Sequence, residues 1–150
     1  MPVTPVESEK LNAILSDPGI FLAFLDKNLA WAERYNHFVS LLLLKPEGLR
    51  RGQGSGLDPL ARAFVNNVRK SDYVGSIQEG TLAVILLPSS IDGAGIVLER
   101  LRFEGLIGLS GEPQKVDLKG SYAVFPSEAN SLESLCNLAI QRLADQGKNA

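Results

Sequence analysis

The sequence predicts an α+β domain in which a sheet of four to five strands is flanked by about five helices. Two apolar runs of strand length, residues 39–44 and 82–87, are bounded by turn-forming residues. Several longer segments place apolar residues every three to four positions, as an amphipathic helix does. The chain has 150 residues, of which 45% are hydrophobic and 21% charged, so it is long enough to bury a core within one domain.

Two helices and a strand are predicted at the start of the chain. Residues 6–15 have the spacing of a short amphipathic helix. Asp17 and Pro18 form a cap and first-turn pair for a second helix, which runs from residue 20 to about residue 35. The strand that follows, residues 38–44, is apolar almost throughout and is therefore expected to be buried on both faces.

A glycine-rich loop, residues 47–57, separates this strand from the next helix. Its four glycines disfavour both helix and strand. Their spacing matches neither a dinucleotide-binding fingerprint nor a P-loop, so we predict a plain flexible loop and assign no role to its Arg50 and Arg51. The next helix is expected to begin at Asp58 or Pro59 and to end at about residue 70.

A β-hairpin is predicted at the centre of the fold. A short extended run beginning at Tyr73 leads into a polar turn, and the apolar run 82–87 leads out of it. Pro88 cannot donate to a sheet ladder, so it is expected to end the second strand. The turn residues are Gln78, Glu79, Gly80 and Thr81.

The remainder of the chain predicts a helix, a loop, a strand and a final helix. The helix covers residues 89–102, and the glycines that follow predict a loop over residues 103–113. Residues 115–125 alternate as a strand does, and Gly120 breaks the alternation in a way that predicts a β-bulge. The final helix spans residue 131 to about residue 144.

The order of helix, Arg-x-x-Asp, strand, turn, strand and proline resembles the signature region of the GGDEF family, the diguanylate cyclases. The Arg-x-x-Asp is Arg69 to Asp72, and the turn at residues 78–81 stands where the family has its Gly-Gly-Asp/Glu-Glu-Phe motif. We divide the chain into an N-terminal helical extension, residues 1–16, and a degenerate GGDEF-like domain, residues 17–150. The resemblance implies a palm like that of nucleotide cyclases, with a mostly antiparallel sheet and a β-α-β-β-α-β core.

The same resemblance argues against catalysis. Where the family's first strand ends in an Asp-x-Asp that helps to hold a divalent metal, this chain has Lys45, Pro46 and Glu47. Metal ions need convergent oxygen ligands, and a lysine places positive charge there instead. Of the signature turn, Glu79 alone matches. We therefore assign no catalytic residue and no metal ligand, expect no cofactor, and predict that the chain is not an enzyme.

The Arg-x-x-Asp matches the family's inhibitory site, which binds the product cyclic di-GMP. The resemblance assigns ligand contacts to Arg69 and Asp72, with Arg100 at the position of an arginine that commonly joins them. An arginine offers a fork of donors to a phosphate or a guanine edge, and an aspartate accepts from guanine N–H groups. The alternative is structural: Arg69 and Asp72 cap backbone groups or pair with each other.

Two functions are predicted from different classes. In the first, the chain is a cyclic di-GMP receptor that signals through a protein partner or a homodimer. In the second, it is a protein interaction or scaffold module that has lost all nucleotide binding. The net charge of −2 gives no general attraction to nucleic acid. No apolar run approaches the length of a membrane span, no signal peptide begins the chain, and its single cysteine fits a reducing cytoplasm, so we expect a cytoplasmic protein.

Overall fold

Four helices and four strands make up the part of the chain that the structure describes. The computed structural model describes residues 18–47, 57–69, 71–78, 80–88, 91–108 and 117–148. In chain order the elements are α1 (Pro18–Tyr35), β1 (Val39–Glu47), α2 (Leu57–Asn67), β2 (Tyr73–Gln78), β3 (Thr81–Leu86), α3 (Ile91–Gly108), β4 (Asp117–Phe125) and α4 (Leu132–Lys148). The predicted α+β class, the β-α-β-β-α-β core and the central hairpin are confirmed. The helix predicted at residues 6–15 and the loop glycines lie outside the described residues.

The sheet has the order β2-β3-β1-β4, and every neighbouring pair is antiparallel. Strand β1 is central, so its apolar side chains alternate between two covered faces. Leu41 and Leu43 pack with α1 and α4 on one face, whereas Leu42 and Leu44 pack with α2 and α3 on the other. The whole run from Val39 to Leu44 is buried, which confirms the prediction of a strand covered on both sides.

Helix α1 lies across the sheet with Phe21, Leu25 and Leu29 buried. It ends where Asn36 adopts a left-handed conformation with φ of 57°, which asparagine tolerates better than most residues. The N–H of His37 then donates to the carbonyl of Ala32 at 2.9 Å, so one of the last carbonyls of the helix is satisfied.

Helix α3 is longer than the sequence predicts. It continues through Gly105 to Gly108, so the loop predicted from residue 103 is wrong over residues 103–108. A Cβ added at Gly105 would lie 2.7 Å from Leu118 and 2.8 Å from Leu60. The glycine therefore allows α3 to approach β4 and α2 closely, and this packing offsets the weak helical propensity on which the prediction relied.

The predicted β-bulge at Gly120 is also wrong. Pairing of β1 with β4 runs without a shift from Val39 and Phe125 to Glu47 and Asp117. A Cβ at Gly120 would meet Leu98 at 2.8 Å, so here too the glycine makes room for a helix that packs on the sheet. The register shift occurs instead in β2, between Gly75 and Gln78.

An ion pair holds α4 against the end of β4. The guanidinium of Arg142 donates to both carboxylate oxygens of Glu128, at 3.0 and 2.8 Å, and to the carbonyl of Tyr122 at 2.9 Å. The N–H of Val124 also donates to Glu128. The hydrogen bonds from Arg142, with smaller help from its charge and from the Val124 N–H, outweigh partial burial and lower the pKa of Glu128.

We expect this pair to make stability depend on pH. Because the folded-state pKa of Glu128 is lowered, its contribution is present above the unfolded-state pKa and is lost as the pH falls through the folded-state value. At neutral pH the Glu128→Gln variant should lose about 0.5–1 kcal/mol, as partly exposed pairs do. Urea unfolding across a pH series should show this difference shrinking in acid. The control is Glu99→Gln, which removes the exposed pair with Arg102. A stability loss in Glu128→Gln that stays constant with pH, or an equal loss in the control, would contradict the role given to the Glu128–Arg142 pair.

Candidate functional site

The carboxylate of Asp72 joins the end of α2 to the end of β3. One oxygen accepts from the backbone N–H of Leu87 at 3.0 Å, and the other accepts from the backbone N–H of Arg69 at 2.9 Å. Only 3% of the side chain is exposed. Ser71 adds a hydrogen bond from its hydroxyl to the carbonyl of Leu87 at 2.8 Å. Asp72 thus satisfies two backbone donors that have left regular secondary structure.

The guanidinium of Arg69 lies against this carboxylate. Its Nε and Nη2 atoms are each 3.3 Å from an oxygen of Asp72, and Nη2 also donates to the carbonyl of Pro88 at 3.1 Å. The arginine side chain nevertheless remains 56% exposed. Arg69 is therefore held in one orientation with much of its surface open to a ligand.

Arg100 reaches the same region from α3. Its Nη2 donates to the carbonyl of Asn67, the last residue of α2, at 2.8 Å. A guanidinium at this position satisfies a terminal carbonyl and complements the negative end of the helix dipole. The fold thus brings Arg69, Asp72 and Arg100 to the segment that follows α2, and each of them also serves the protein's own backbone.

A groove lies beside Arg69, between α1 and the start of β2. It encloses about 830 Å³, within the range of ligand-binding clefts. Phe24 and Trp31, each 39% exposed, line it from α1, and Tyr73 lines it from the sheet with its ring centroid 4.4 Å from that of Phe24. Arg69 and Lys27 are the charged residues among the described residues of its wall.

The predicted signature turn connects β2 and β3. Gln78 and Thr81 are paired across the hairpin, and Gly80 takes the positive φ of 75° that a glycine permits. The hydroxyl of Ser76 lies 2.9 Å from the carbonyl oxygens of both Gln78 and Thr81, which share its one hydrogen as acceptors. The predicted turn is therefore present, and Glu79 lies outside the described residues.

The chain matches known proteins in structure but not in sequence. No protein-family model matches the sequence, and no curated protein matches it either. Solved structures do match. The GGDEF domain of YfiN (TpbB) from Pseudomonas aeruginosa superposes with a TM-score of 0.71 at 18% identity, over 87% of this chain and 83% of that chain. The coiled coil and GGDEF domain of DgcB from Caulobacter crescentus, in complex with c-di-GMP, gives 0.75 at 15% identity, over 97% and 86%. This chain has the GGDEF fold.

A further GGDEF-fold match is a complex of two proteins. The diguanylate cyclase SiaD from Pseudomonas aeruginosa, bound to its activator SiaC, has a TM-score of 0.73 at 19% identity. The match covers 87% of this chain and 54% of SiaD. At these identities the comparisons establish the fold, and the chemistry of this chain must be argued from its own residues.

In this GGDEF-fold chain, two lysines meet where β1 ends. Lys45 lies directly opposite Lys119 of β4, and the Nζ of Lys119 is 3.1 Å from a carboxylate oxygen of Glu47. These residues and Gln78 line a cavity of about 220 Å³. Among the residues that the structure describes here, two amines and one paired carboxylate line the cavity, and this set of charges does not suit a divalent cation. Over the described residues, no three potential metal-ligating side chains come together.

The sequence interpretation missed the groove residues on α1. It gave neither Phe24 nor Lys27 a role. The signal was present, because α1 carries two apolar stripes and only one can face the core. Phe21, Leu25 and Leu29 form the buried stripe, while Ile20, Phe24 and Trp31 form the exposed one.

The single histidine and the single cysteine of the chain both contact other side chains of the fold. The ring of His37 stacks on that of Trp31, with centroids 4.6 Å apart. Cys136 packs against the core on the α1 and α4 side, and burial raises the pKa of its thiol, which disfavours the nucleophilic thiolate.

Among the helices that the structure describes, none combines the length and the apolar character of a membrane span.

Proposed function

We propose that this chain is a catalytically inactive GGDEF-like domain that binds cyclic di-GMP and signals through a protein partner or a dimer. The observation that carries the proposal is the half-exposed guanidinium of Arg69, which Asp72 holds in one orientation, two residues after the Asn67 carbonyl that Arg100 binds. A planar guanidinium fixed in this way is suited to phosphate oxygens and to a guanine edge. The fold match with DgcB, whose structure contains c-di-GMP, supports this ligand.

The surroundings of Lys45 support the absence of cyclase activity in this proposal. Phosphoryl transfer needs metal ions that neutralise the phosphates and stabilise the developing charge. At the end of β1, Lys45 and Lys119 supply positive charge of their own, and Glu47 is paired with Lys119. We therefore expect no cyclic di-GMP from GTP and Mg²⁺ when the products are separated chromatographically.

Calorimetric titration of the purified protein with cyclic di-GMP tests the receptor function. Micromolar affinity, equivalent to about 8 kcal/mol, is the expected result. Arg69→Ala should weaken binding by roughly 10- to 100-fold, since hydrogen bonds from a charged donor to the ligand are lost. The ligand should also raise the unfolding temperature of the wild-type protein, because it binds the folded state.

Arg62→Ala is the matched control, because Arg62 is an exposed arginine of α2 with no part in the site. Its affinity should equal that of the wild type. Equal weakening by both variants would mean that overall charge, and not the Arg69 site, governs binding. Absence of binding at high ligand concentration would refute the receptor function, and heat with GTP and Mg²⁺ would count against the proposed catalytic inactivity.

A protein interaction module is the second candidate, and an exposed apolar row on α3 favours it. Ile96 and Phe103 are 69% and 64% exposed, and they lie seven residues apart on one face of the helix. Such side chains suit a protein contact, and the SiaD structure contains a bound protein activator. Two results together would support this candidate. The protein would not bind cyclic di-GMP, and light scattering would show a dimer that the Phe103→Ser variant no longer forms.

A further inference from the structure

The carboxylate of Asp72 has little capacity left for a ligand. It accepts hydrogen bonds from two backbone N–H groups and from the guanidinium of Arg69, and its side chain is 3% exposed. A guanine that donated to Asp72 would have to displace bonds that hold α2 to β3. A ligand anchored at Arg69 therefore needs another surface for its bases.

The groove beside Arg69 offers that surface. Phe24 and Trp31 are seven residues apart on α1, so their rings stand on one face about 10 Å apart along the helix axis. Tyr73 adds a third ring, tilted against that of Phe24 with centroids 4.4 Å apart. Aromatic side chains that remain exposed beside a cation provide stacking surfaces for nucleobases, since every base has a π-face.

The charges of the groove favour an anionic ligand. Lys27 and Arg69 line it, and the described lining residues include no carboxylate. Lys27 forms no ion pair within the part of the chain that the structure describes. The volume of about 830 Å³ also matches that of sites for ligands larger than a single ring.

We infer that cyclic di-GMP places a guanine base in the groove between α1 and β2, against Phe24 and Trp31, with Lys27 and Arg69 beside its phosphates. This inference rests on the proposed function and changes its geometry, because the base is recognised by stacking on α1 and not by the carboxylate of Asp72. In this arrangement Asp72 positions Arg69, and the ligand lies on the α1 side of the sheet.

Trp31 makes the inference directly measurable, because it is the only tryptophan in the chain. Titration with cyclic di-GMP should change the tryptophan emission along the same curve that calorimetry gives. Phe24→Ala should weaken binding about tenfold through lost stacking. Lys27→Gln should weaken it several-fold and reduce its dependence on salt.

Phe103→Ala and Arg62→Gln are matched controls, since both side chains are exposed on other elements. Each should bind as the wild type does. If Phe24→Ala and Lys27→Gln bind cyclic di-GMP as tightly as the wild type and the controls do, the groove inference is overturned and the receptor function stands. This holds even if the ligand changes the tryptophan emission. If Phe24→Ala alters only the oligomeric state in light scattering, the groove is a contact between copies and the inference is again wrong. If the wild type does not bind cyclic di-GMP, both proposals fail together.

Discussion

Replacement of Asp72 by alanine is expected to lower the free energy of unfolding by about 2 kcal/mol. The variant leaves the backbone N–H groups of Arg69 and Leu87 without their acceptor and removes the partner of the Arg69 guanidinium. The loss at Leu87 costs more, because this N–H is partly buried, whereas water can reach the exposed N–H of Arg69. The end of α2 should separate from the end of β3 as a result.

Urea unfolding followed by circular dichroism measures this effect. Asp72→Asn keeps an oxygen for the N–H of Leu87 and loses the charge, so it should fall between the wild type and the alanine variant. Asp145→Ala, at an exposed position of α4, should change the stability by less than about 0.5 kcal/mol.

The same series decides between two roles for Asp72. If Asp72→Ala unfolds at the wild-type urea concentration and still loses cyclic di-GMP binding, Asp72 contacts the ligand and our structural interpretation is wrong. If it is destabilised as expected, and Asp72→Asn retains most of the affinity, the carboxylate serves to position Arg69.

Phe64→Ala is expected to cost about 3–5 kcal/mol, the largest effect that we predict. Phe64 is fully buried where α2 meets α3 and the sheet, and its ring reaches within 3.1 Å of the position that a Cβ on Gly105 would take. Because α3 already packs closely there, its backbone has little freedom to move into the space left by the ring. A cavity should remain beneath α2.

Thermal and urea unfolding test this expectation, with Val65→Ala as the control from the next position. Val65 is 43% exposed, so its truncation should cost about 0.5 kcal/mol or less. If both variants lose the same free energy of unfolding, Phe64 is not the residue through which α2 packs on the sheet. Because α2 ends just before Arg69, Phe64→Ala should also weaken cyclic di-GMP binding.

The strands and the hairpin could be predicted because they depend on local chemistry. A run such as Leu41 to Leu44 has no polar face to leave in water, so it must become a central strand covered by helices. Pro88 fixes its own φ and lacks an N–H, and Gly80 permits a positive φ, whatever surrounds them. The order of these elements was also enough for the resemblance to the GGDEF family, whose fold the structural comparisons establish.

The glycines were misread because their effect depends on what they pack against. Gly105 and Gly120 predicted a loop and a bulge from propensity alone, yet both lie in regular elements where a side chain would collide with Leu60, Leu98 or Leu118. The sequence shows where each glycine is, but it does not show which neighbouring side chain would collide with a Cβ there.

For the candidate site, the sequence by itself determined which residues follow α2 and that Lys45 stands near the end of β1, where the resemblance to the GGDEF family places an acidic residue. The tertiary structure alone decided that the Asp72 carboxylate already accepts from the backbone N–H of Leu87, just after β3, and that the aromatic stripe of α1 faces Arg69. Both depend on contacts between segments distant in the chain, Asp72 with Leu87 and Phe24 with Tyr73. Such contacts form only when the hydrophobic faces pack, so local spacing cannot reveal them.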